Sequence, residues 1–518
     1  MQFTQGLHRA VQQQPNAIAT IQGDRQQSFQ QLHDRVVRFA GALKAQGFAA
    51  GDRIAILSLN SDRYLEAYLA IAWLGAVVNP INFRWSNAEI IYSLNDSNSV
   101  ALIIDDNFAP QAADIKAGTR SLRSIFYNGE QSAPADMLSC NALIDTATPI
   151  PDAEAGGDDL LGVFYTGGTT GAPKGVMLSH ANVFSSGLAL LSEHLFAEQA
   201  VGLHAAPMFH LADMMVSISL LIRGGRHVFL PAFRPEAVLA LTQQHGITDL
   251  LLVPAMLQMV VDCPEFGNFN TSSVRNIVYG ASPASEPLLD RTLQNFPTAA
   301  LTQVYGMTEM AAVMTVLPPA MHTADAREFG RLRSGGRAAH HVQVRIVDEH
   351  DTELTRGEVG EIIVRGPNLM QGYLNQAETT AETLRNGWMH TGDVGYMDAN
   401  GYVFIVDRSK DMIISGGENV YSAEVENAIV KHPAIASAAV IGIPCAEMGE
   451  KVHAALVLKA GANITQEELY AHCKTLIAGY KCPRSISLLD ALPISGAGKV
   501  LKTELRKPFW EGKARSIG

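Results

Sequence analysis

The sequence predicts an α/β protein with largely parallel sheets. Two observations carry that expectation. Helix-period and strand-like segments alternate from the start of the chain, and 47% of the 518 residues are hydrophobic, enough for a large buried core. Length alone suggests about three to four folding units, and the apolar fraction excludes global disorder.

Taken in order, Phe29, Leu32, Val36, Phe39 and Leu43 step by three and four and so share one helical face, with Gly47 as the stop. Residues 53–57 (RIAIL) read as the buried strand that follows, 64–74 as a second helix, and 101–105 (ALIID) as another short strand. The longest apolar run, 67–78, has 12 residues against about 20 needed to span a bilayer, and reads as a buried helix. Residues 149–159 are acidic and rich in Gly and Pro, hence a loop, and a strand-like segment precedes the glycine-rich stretch after them. Beyond about residue 340 the pattern changes. Residues 342–348, 361–365 and 401–406 read as strands joined by Gly, Asn and Asp turns, a small β-rich subdomain. After Arg408 a compact α+β pattern follows, with strands at 437–443 and 453–458 and a capping box, Thr465 with Glu468, opening a helix. The domain boundary is expected at 408–411.

With 39 Lys and Arg against 51 Asp and Glu, the net charge is −12, and there is no basic run. That balance argues against a nucleic-acid partner, so a polyanionic ligand must be met by local cations and backbone amides. Five widely spaced cysteines form no C-x-x-C pair, and MQFTQGLHRA carries no apolar signal core; both fit a cytoplasmic protein without a transmembrane segment.

The strongest chemical signal is Tyr165-Thr166-Gly167-Gly168-Thr169-Thr170-Gly171-Ala172-Pro173-Lys174-Gly175. Glycines let backbone N–H groups turn toward an anion, threonine hydroxyls add donors, and a lysine adds charge, which suits wrapping a phosphate chain. The competing reading is a tight turn with incidental threonines. It is not the G-x-x-x-x-G-K-[ST] loop, because Gly175 follows Lys174, and Gly498-Lys499 fails the same test at Val500. The GASPA stretch from Gly280 misses the G-x-S-x-G nucleophile elbow at Ala284. His340-His341 has no ligand-spaced partner, and no His/Cys cluster suggests zinc.

The phosphate loop resembles that of the adenylate-forming superfamily: acyl-CoA synthetases, peptide-synthetase adenylation domains and luciferases. Five further stretches resemble the superfamily's motifs in its order: Tyr305-Gly306-Met307-Thr308-Glu309, Trp388-Met389-His390-Thr391-Gly392-Asp393, Asp407-Arg408-Ser409-Lys410-Asp411, Ser415-Gly416-Gly417-Glu418-Asn419, and Pro493 through Lys499. Overall similarity runs closest to bacterial fatty-acyl-CoA synthetases.

The resemblance implies a large N-terminal domain, 1–408, of two α/β subdomains and a small β-barrel-like one, and a small mobile α+β domain, 409–518, carrying the catalytic lysine. It implies a carboxylate attacking the α-phosphate of ATP to give acyl-adenylate and pyrophosphate, after which a thiol, usually that of coenzyme A, displaces AMP. By the same likeness Lys499 bridges carboxylate and α-phosphate, Thr308 contacts that phosphate, and Glu309 holds Mg²⁺. Thr166, Gly167, Gly168, Thr169, Thr170, Gly171 and Lys174 form the phosphate loop. Gly280, Ala281 and Ser282 with Tyr305 and Gly306 hold adenine, and Asp393 takes the ribose hydroxyls with Arg408 beside it; taken alone, Asp393 reads equally as a surface turn residue. His210, Met208, Met307 and Met310 fall in the implied acyl pocket, favouring an apolar acid, although ordinary core filling explains most methionines as well. Lys410 is the hinge, and Ser415, Gly416 and Gly417 with Arg84 and Arg484 face CoA.

Four departures weaken the CoA inference or the phosphate loop: Gly168 replaces a common serine, Ile494 and Cys482 stand where many members have basic residues, and Met448 stands for tryptophan. The sequence therefore points to an acid–CoA ligase acting on a medium- or long-chain fatty acid. An aryl acid of the benzoate or cinnamate type and transfer to a carrier protein stay open, as does a homodimer.

Overall fold

Ser28 starts the first long helix. Its hydroxyl accepts from the Gln31 N–H while the Gln31 side chain accepts from the Ser28 N–H, and the helix Phe29–Ala45 buries Phe29, Leu32, Val36, Phe39 and Leu43. The computed structural model in which this is seen describes residues 1–166, 173–323, 326, 330–408, 411–415, 418–445, 447–494 and 500–511, with the backbone alone at Arg408. The strands Arg53–Leu57 and Ala101–Ile104 fall where the apolar runs placed them. The 67–78 run does not make one helix. Asp62–Trp73 ends where Gly75 takes φ 74°, and Val77–Pro80 is already a strand, since an achiral residue reverses the chain without a Cβ clash.

Two compact units result: Met1–Thr166, Pro173–Gln343 and Arg365–Met389 form the first, and Val344–Val364 and His390–Gly518 belong to the second. The first holds two large sheets. In one, Val77–Pro80 lies between Leu160–Thr166 and Arg53–Leu57, all parallel, and the order continues through Ala101–Ile104, Ser124–Tyr127 and Leu138–Ser139. Its other edge is antiparallel, Leu160–Thr166 pairing with Lys174–Ser179, and that strand with Gly372–Tyr373. In the second sheet Ala300–Tyr305, Asn276–Gly280, Asp249–Leu251, Val201–His204, Arg226–Phe229 and Ile18–Gln22 run parallel. Parallel strands need crossover helices that cover both faces, which is why these runs are almost continuously apolar.

The second unit carries a small antiparallel sheet in which Trp388–Met397 pairs with Val403–Arg408. It also carries the C-terminal sheet of Glu418–Val420, Ile413–Ser415, Gly449–Leu458 and Ile435–Cys445, extended by Ser485–Leu488. Val425, Ile429, Val440, Leu456 and Leu469 fill its core, where a leucine-to-alanine cut costs about 2–5 kcal/mol. The Thr465–Glu468 capping box is present, each residue's side chain accepting from the other's N–H at 3.2 and 2.8 Å. All five cysteines are unpaired, and no described helix is long and apolar enough to cross a membrane.

Candidate active site

Ligands of open parallel sheets bind beyond the carboxyl ends of the strands, where side chains and backbone amides are no longer committed to the ladder. The Asn276–Gly280 and Ala300–Tyr305 strands end side by side, Gly280 opposite Val304. A Cβ on Gly280 would sit 2.1 Å from the Val304 carbonyl oxygen, so only glycine allows that close approach. The chain then turns through Ala281 at φ 65°, a conformation that costs a non-glycine residue about 1 kcal/mol or more. The strand holding Tyr305 leads through Gly306, where a Cβ would meet the Ala312 carbonyl at 2.2 Å, into a short 3₁₀ turn, Thr308–Met310. Ala311 and Ala312 follow with φ 42° and 73°. Strained backbone is thus concentrated where two predicted adenine segments meet.

Thr166 and Lys174 are cross-strand partners at the end of an antiparallel pair. The Lys174 ammonium lies 4.9 Å from the centre of the Tyr373 ring, a cation–π contact. The Tyr373 hydroxyl donates to Glu309 Oε1 at 2.7 Å. Burial, and then the Glu309 charge, push the Tyr373 pKa up, so the phenol stays a donor. Glu309 is 7% exposed and its backbone carbonyl accepts from the Met370 N–H at 2.8 Å. Asn368, buried, donates to the carbonyls of Met310 and Val313 at 2.6 and 2.7 Å. The segment 368–373 therefore fixes the 3₁₀ turn from behind. With one carboxylate oxygen taken by Tyr373, Glu309 keeps the other among the described residues for a hard cation, which fits oxygen-ligated Mg²⁺.

The third predicted segment follows the same sheet edge. Val201–His204 ends, and Asn60 grips the turn beyond it, donating to the carbonyls of His204 and Ala206 and accepting from the Met208 N–H at 2.8 Å. His210 caps the helix Leu211–Arg223, its ring 4.2 Å from that of Phe209, which meets Phe83 edge-on at 5.1 Å. Arg84 stands over the Phe83 ring at 5.7 Å, and burial lowers its pKa. Met208 and Met310 are buried, and Met307 is partly exposed in the loop with Thr308. Behind the turn lies a chain the sequence did not reveal: Asp213 to His204 at 2.7 Å and His204 to His227 at 2.9 Å, with burial pushing the His227 pKa well down.

In the second unit Asp393 is no surface turn residue. It is 8% exposed, lies within the strand Trp388–Met397, and pairs directly with Arg408. Its N–H donates to Thr391 Oγ1 at 3.1 Å, and Glu361 accepts from the Gly392 N–H at 3.1 Å and contacts His390 at 2.8 Å. Ser415, buried, ends its strand beside Met448, Oγ to Sδ 4.0 Å. Arg484 lies over the Tyr470 ring at 5.2 Å.

A family model described as AMP-binding enzyme matches residues 7–374, and one described as AMP-binding enzyme C-terminal domain matches 424–499. The chain belongs to the AMP-binding enzyme family. It is 39% identical to a feruloyl-CoA synthase of Amycolatopsis sp over 97% of this chain and 98% of that one. It is 36% identical to a fatty acid–[acyl-carrier-protein] ligase of Streptomyces coeruleorubidus over 98% of this chain and 96% of the other. Its fold is similar to that of an o-succinylbenzoate CoA synthetase from Bacillus subtilis solved with an acyl-adenylate intermediate: TM-score 0.84, 31% identity, 96% and 97% of the two chains covered.

In this AMP-binding enzyme Lys174, His210, Gly280, Ala281, Tyr305, Gly306, Thr308 and Glu309 belong to the first unit, and Asp393 and Ser415 to the second. Gly167, Gly168, Thr169, Thr170, Gly171, Lys410, Gly416, Gly417 and Lys499 lie outside the described residues, as does the Arg408 side chain. Tyr373 and Asn368 were missed because a tyrosine after glycine and an isolated asparagine carry no chemistry of their own. The pairing of Gly372–Tyr373 with Lys174–Ser179 reveals the first, and hydrogen bonds to Met310 and Val313 the second.

Proposed function

We propose that the protein is an ATP-dependent carboxylic acid–CoA ligase forming acyl-CoA, AMP and pyrophosphate through an acyl-adenylate, with a medium- or long-chain fatty acid as substrate. The observation that carries this reading is the Lys174–Tyr373–Glu309 cluster, which joins the lysine that closes the Gly/Thr sequence motif to the carboxylate of the second nucleotide motif. A carboxylate approaching a triphosphate needs charge neutralisation where negative charge develops. Lys174 and the loop threonines hold the β- and γ-phosphates, Thr308 the α-phosphate, and Lys499 joins that phosphate to the incoming carboxylate. Glu309 holds Mg²⁺, which supplies phosphate charge neutralisation when bound. Gly280, Ala281 and Ser282 with Tyr305 take adenine, and Asp393 with Arg408 takes the ribose.

The second half-reaction needs a path for a thiol. Residues 409–518 turn about Lys410 relative to 1–408, withdrawing Lys499 and presenting Ser415, Gly416 and Gly417, small enough to pass the pantetheine arm, with Arg84 and Arg484 for CoA phosphates. His210, Met208, Met307 and Met310 border the acyl chain. The site of action is the cytoplasm. A second reading, an aryl-acid–CoA ligase, is favoured by the 39% identity to feruloyl-CoA synthase.

Purified protein with ATP, Mg²⁺ and CoA is to be given a panel of aliphatic and aromatic acids, reading AMP by chromatography and acyl-CoA by mass. AMP matched by a fatty acyl thioester supports the first reading; matched by an aryl thioester, the second. AMP without CoA thioester, and acyl transfer to an added carrier protein, would replace both with a carrier-loading enzyme.

A further inference from the structure

The helix Lys502–Trp510 begins three residues after Lys499 and packs on the C-terminal sheet, the Trp510 indole N–H donating to the Gly442 carbonyl at 3.0 Å and Phe509 lying 4.8 Å from His453. Its inner face carries two cations four residues apart, Lys502 and Arg506, which places both on one side of the helix. The Lys502 ammonium lies 2.7 Å from Glu426 Oε1 and donates to the Ser422 hydroxyl. That hydroxyl in turn donates to Asp407 Oδ1 at 3.0 Å, and the Ser422 N–H donates to the other Asp407 oxygen. Glu426 also accepts from the Val440 N–H at 2.7 Å. Arg506 donates from Nη1 to Asp411 Oδ1 at 2.7 Å, and its Nε and Nη2 are buried without a partner among the described residues.

Asp407 and Asp411 are the first and last residues of the hinge-like stretch. One helix therefore holds both flanks of residues 408–410, one through a serine relay and one through an ion pair. Asp407 and Arg506 are both at least nine-tenths buried. Charges removed from water in this way cost free energy unless paired, and breaking one partner away is far more damaging than replacing both, so such pairs act best as register devices.

We infer that Lys502 and Arg506 are positioning residues that lock the helix following Lys499 to both flanks of the hinge, so that the catalytic lysine moves with the hinge and not relative to it. This rests on the adenylation role proposed for Lys499. The function is to keep the lysine's placement set by the hinge angle alone, which makes the switch between half-reactions all-or-none.

The test compares Arg506→Gln, Lys502→Gln, Asp411→Asn and the double variant Arg506→Gln/Asp411→Asn in the full chain. Loosening the tether lowers ATP–pyrophosphate exchange about 10- to 100-fold, while thioester formation from supplied acyl-adenylate stays within about twofold. The double variant is no worse than the more damaged single, because each removes the same contact. Hydrogen exchange supplies a readout independent of catalysis. In Arg506→Gln, amides of 411–415 and 500–506 lose protection together, while those of Phe29–Ala45 keep theirs. Loss of protection in only one of the two segments overturns the inference, as does a parallel fall of both half-reactions. Should Arg506→Gln not fold, Lys502→Gln decides on the same two readouts. Failure of every acid to be activated would defeat the ligase reading, and exchange would still decide the tether.

Discussion

The Gly280–Tyr305 corner of the first unit and the Asp407–Arg506 region of the second solve the same task by opposite means. In the first, site residues are placed by backbone. Glycines press on carbonyl oxygens at 2.1 and 2.2 Å, and three alanines hold positive φ. In the second, placement comes from partly buried side-chain charges and one buried hydroxyl. Backbone packing cannot be rearranged without unfolding, whereas ion pairs fix the register of one element on another through a few side chains. On the proposed mechanism the nucleotide site stays still through both half-reactions while Lys499 leaves after one, and the difference in means follows that difference in task.

The contrast breaks most sharply at Lys499. Lys499→Ala is expected to lower adenylate formation by about 10²–10³ or more while sparing thioester synthesis from supplied acyl-adenylate. Equal loss of both halves in a two-step assay would mean that the second unit does not serve one half-reaction at a time.

Next in size is the response to acid, which should treat the two units alike. Burial holds His180 in the first unit and His453 in the second down to about 4, both neutral. His180 accepts from the Phe3 N–H at 3.1 Å, and His453 bridges Ser485 and Ser487. The unfolded chain, with ordinary histidines near 6.5, binds more protons below that pH, so stability is full above it and falls as pH drops toward 4. Each histidine contributes stability that is lost across that window. Denaturant titrations at pH 7.5 and 5 should show the loss, and His453→Asn should shrink it in the C-terminal transition alone.

Gly280→Ala probes the backbone side. With no room for a Cβ, it should destabilise the first unit by about 1–3 kcal/mol and raise the KM for ATP, without altering thioester formation from supplied adenylate. An unchanged melting temperature and KM would remove the claim that this close approach sets the adenine turn. The smallest effect belongs to Tyr373→Phe. Losing one charge-assisted hydrogen bond to Glu309 should slow adenylation about tenfold and raise the Mg²⁺ concentration needed for half-maximal rate. A Mg²⁺ requirement that does not move would confine Tyr373 to packing.

Much of this was legible because the chemistry is written in local composition. A Gly/Thr/Lys cluster, two TGD- and TE-type turns and helical periodicity at Phe29–Leu43 announce themselves within a dozen residues. Arrangements made by long-range pairing were not. Tyr373 meets Glu309 across 64 positions, and Arg506 meets Asp411 across 95, and nothing in either neighbourhood requires the partner. In the buried Asp213–His204–His227 chain, His204 and His227 lie on neighbouring strands and Asp213 on the helix Leu211–Arg223, an arrangement no motif announces. The single helix expected over 67–78 failed because apolarity alone does not separate a buried helix from a buried strand, and Gly75 was the punctuation that went unused.

The central claim is that an acyl-adenylate forms first and a thiol then takes the acyl group. It is tested most directly by incubating the protein with its best acid, ATP and Mg²⁺ without CoA, quenching, and weighing the products, then adding CoA to a parallel sample. The account predicts about one acyl-adenylate per protein molecule with pyrophosphate released, and its conversion to acyl-CoA and AMP on addition of the thiol. ADP in place of AMP, or a thioester that forms with no adenylate preceding it, would contradict it.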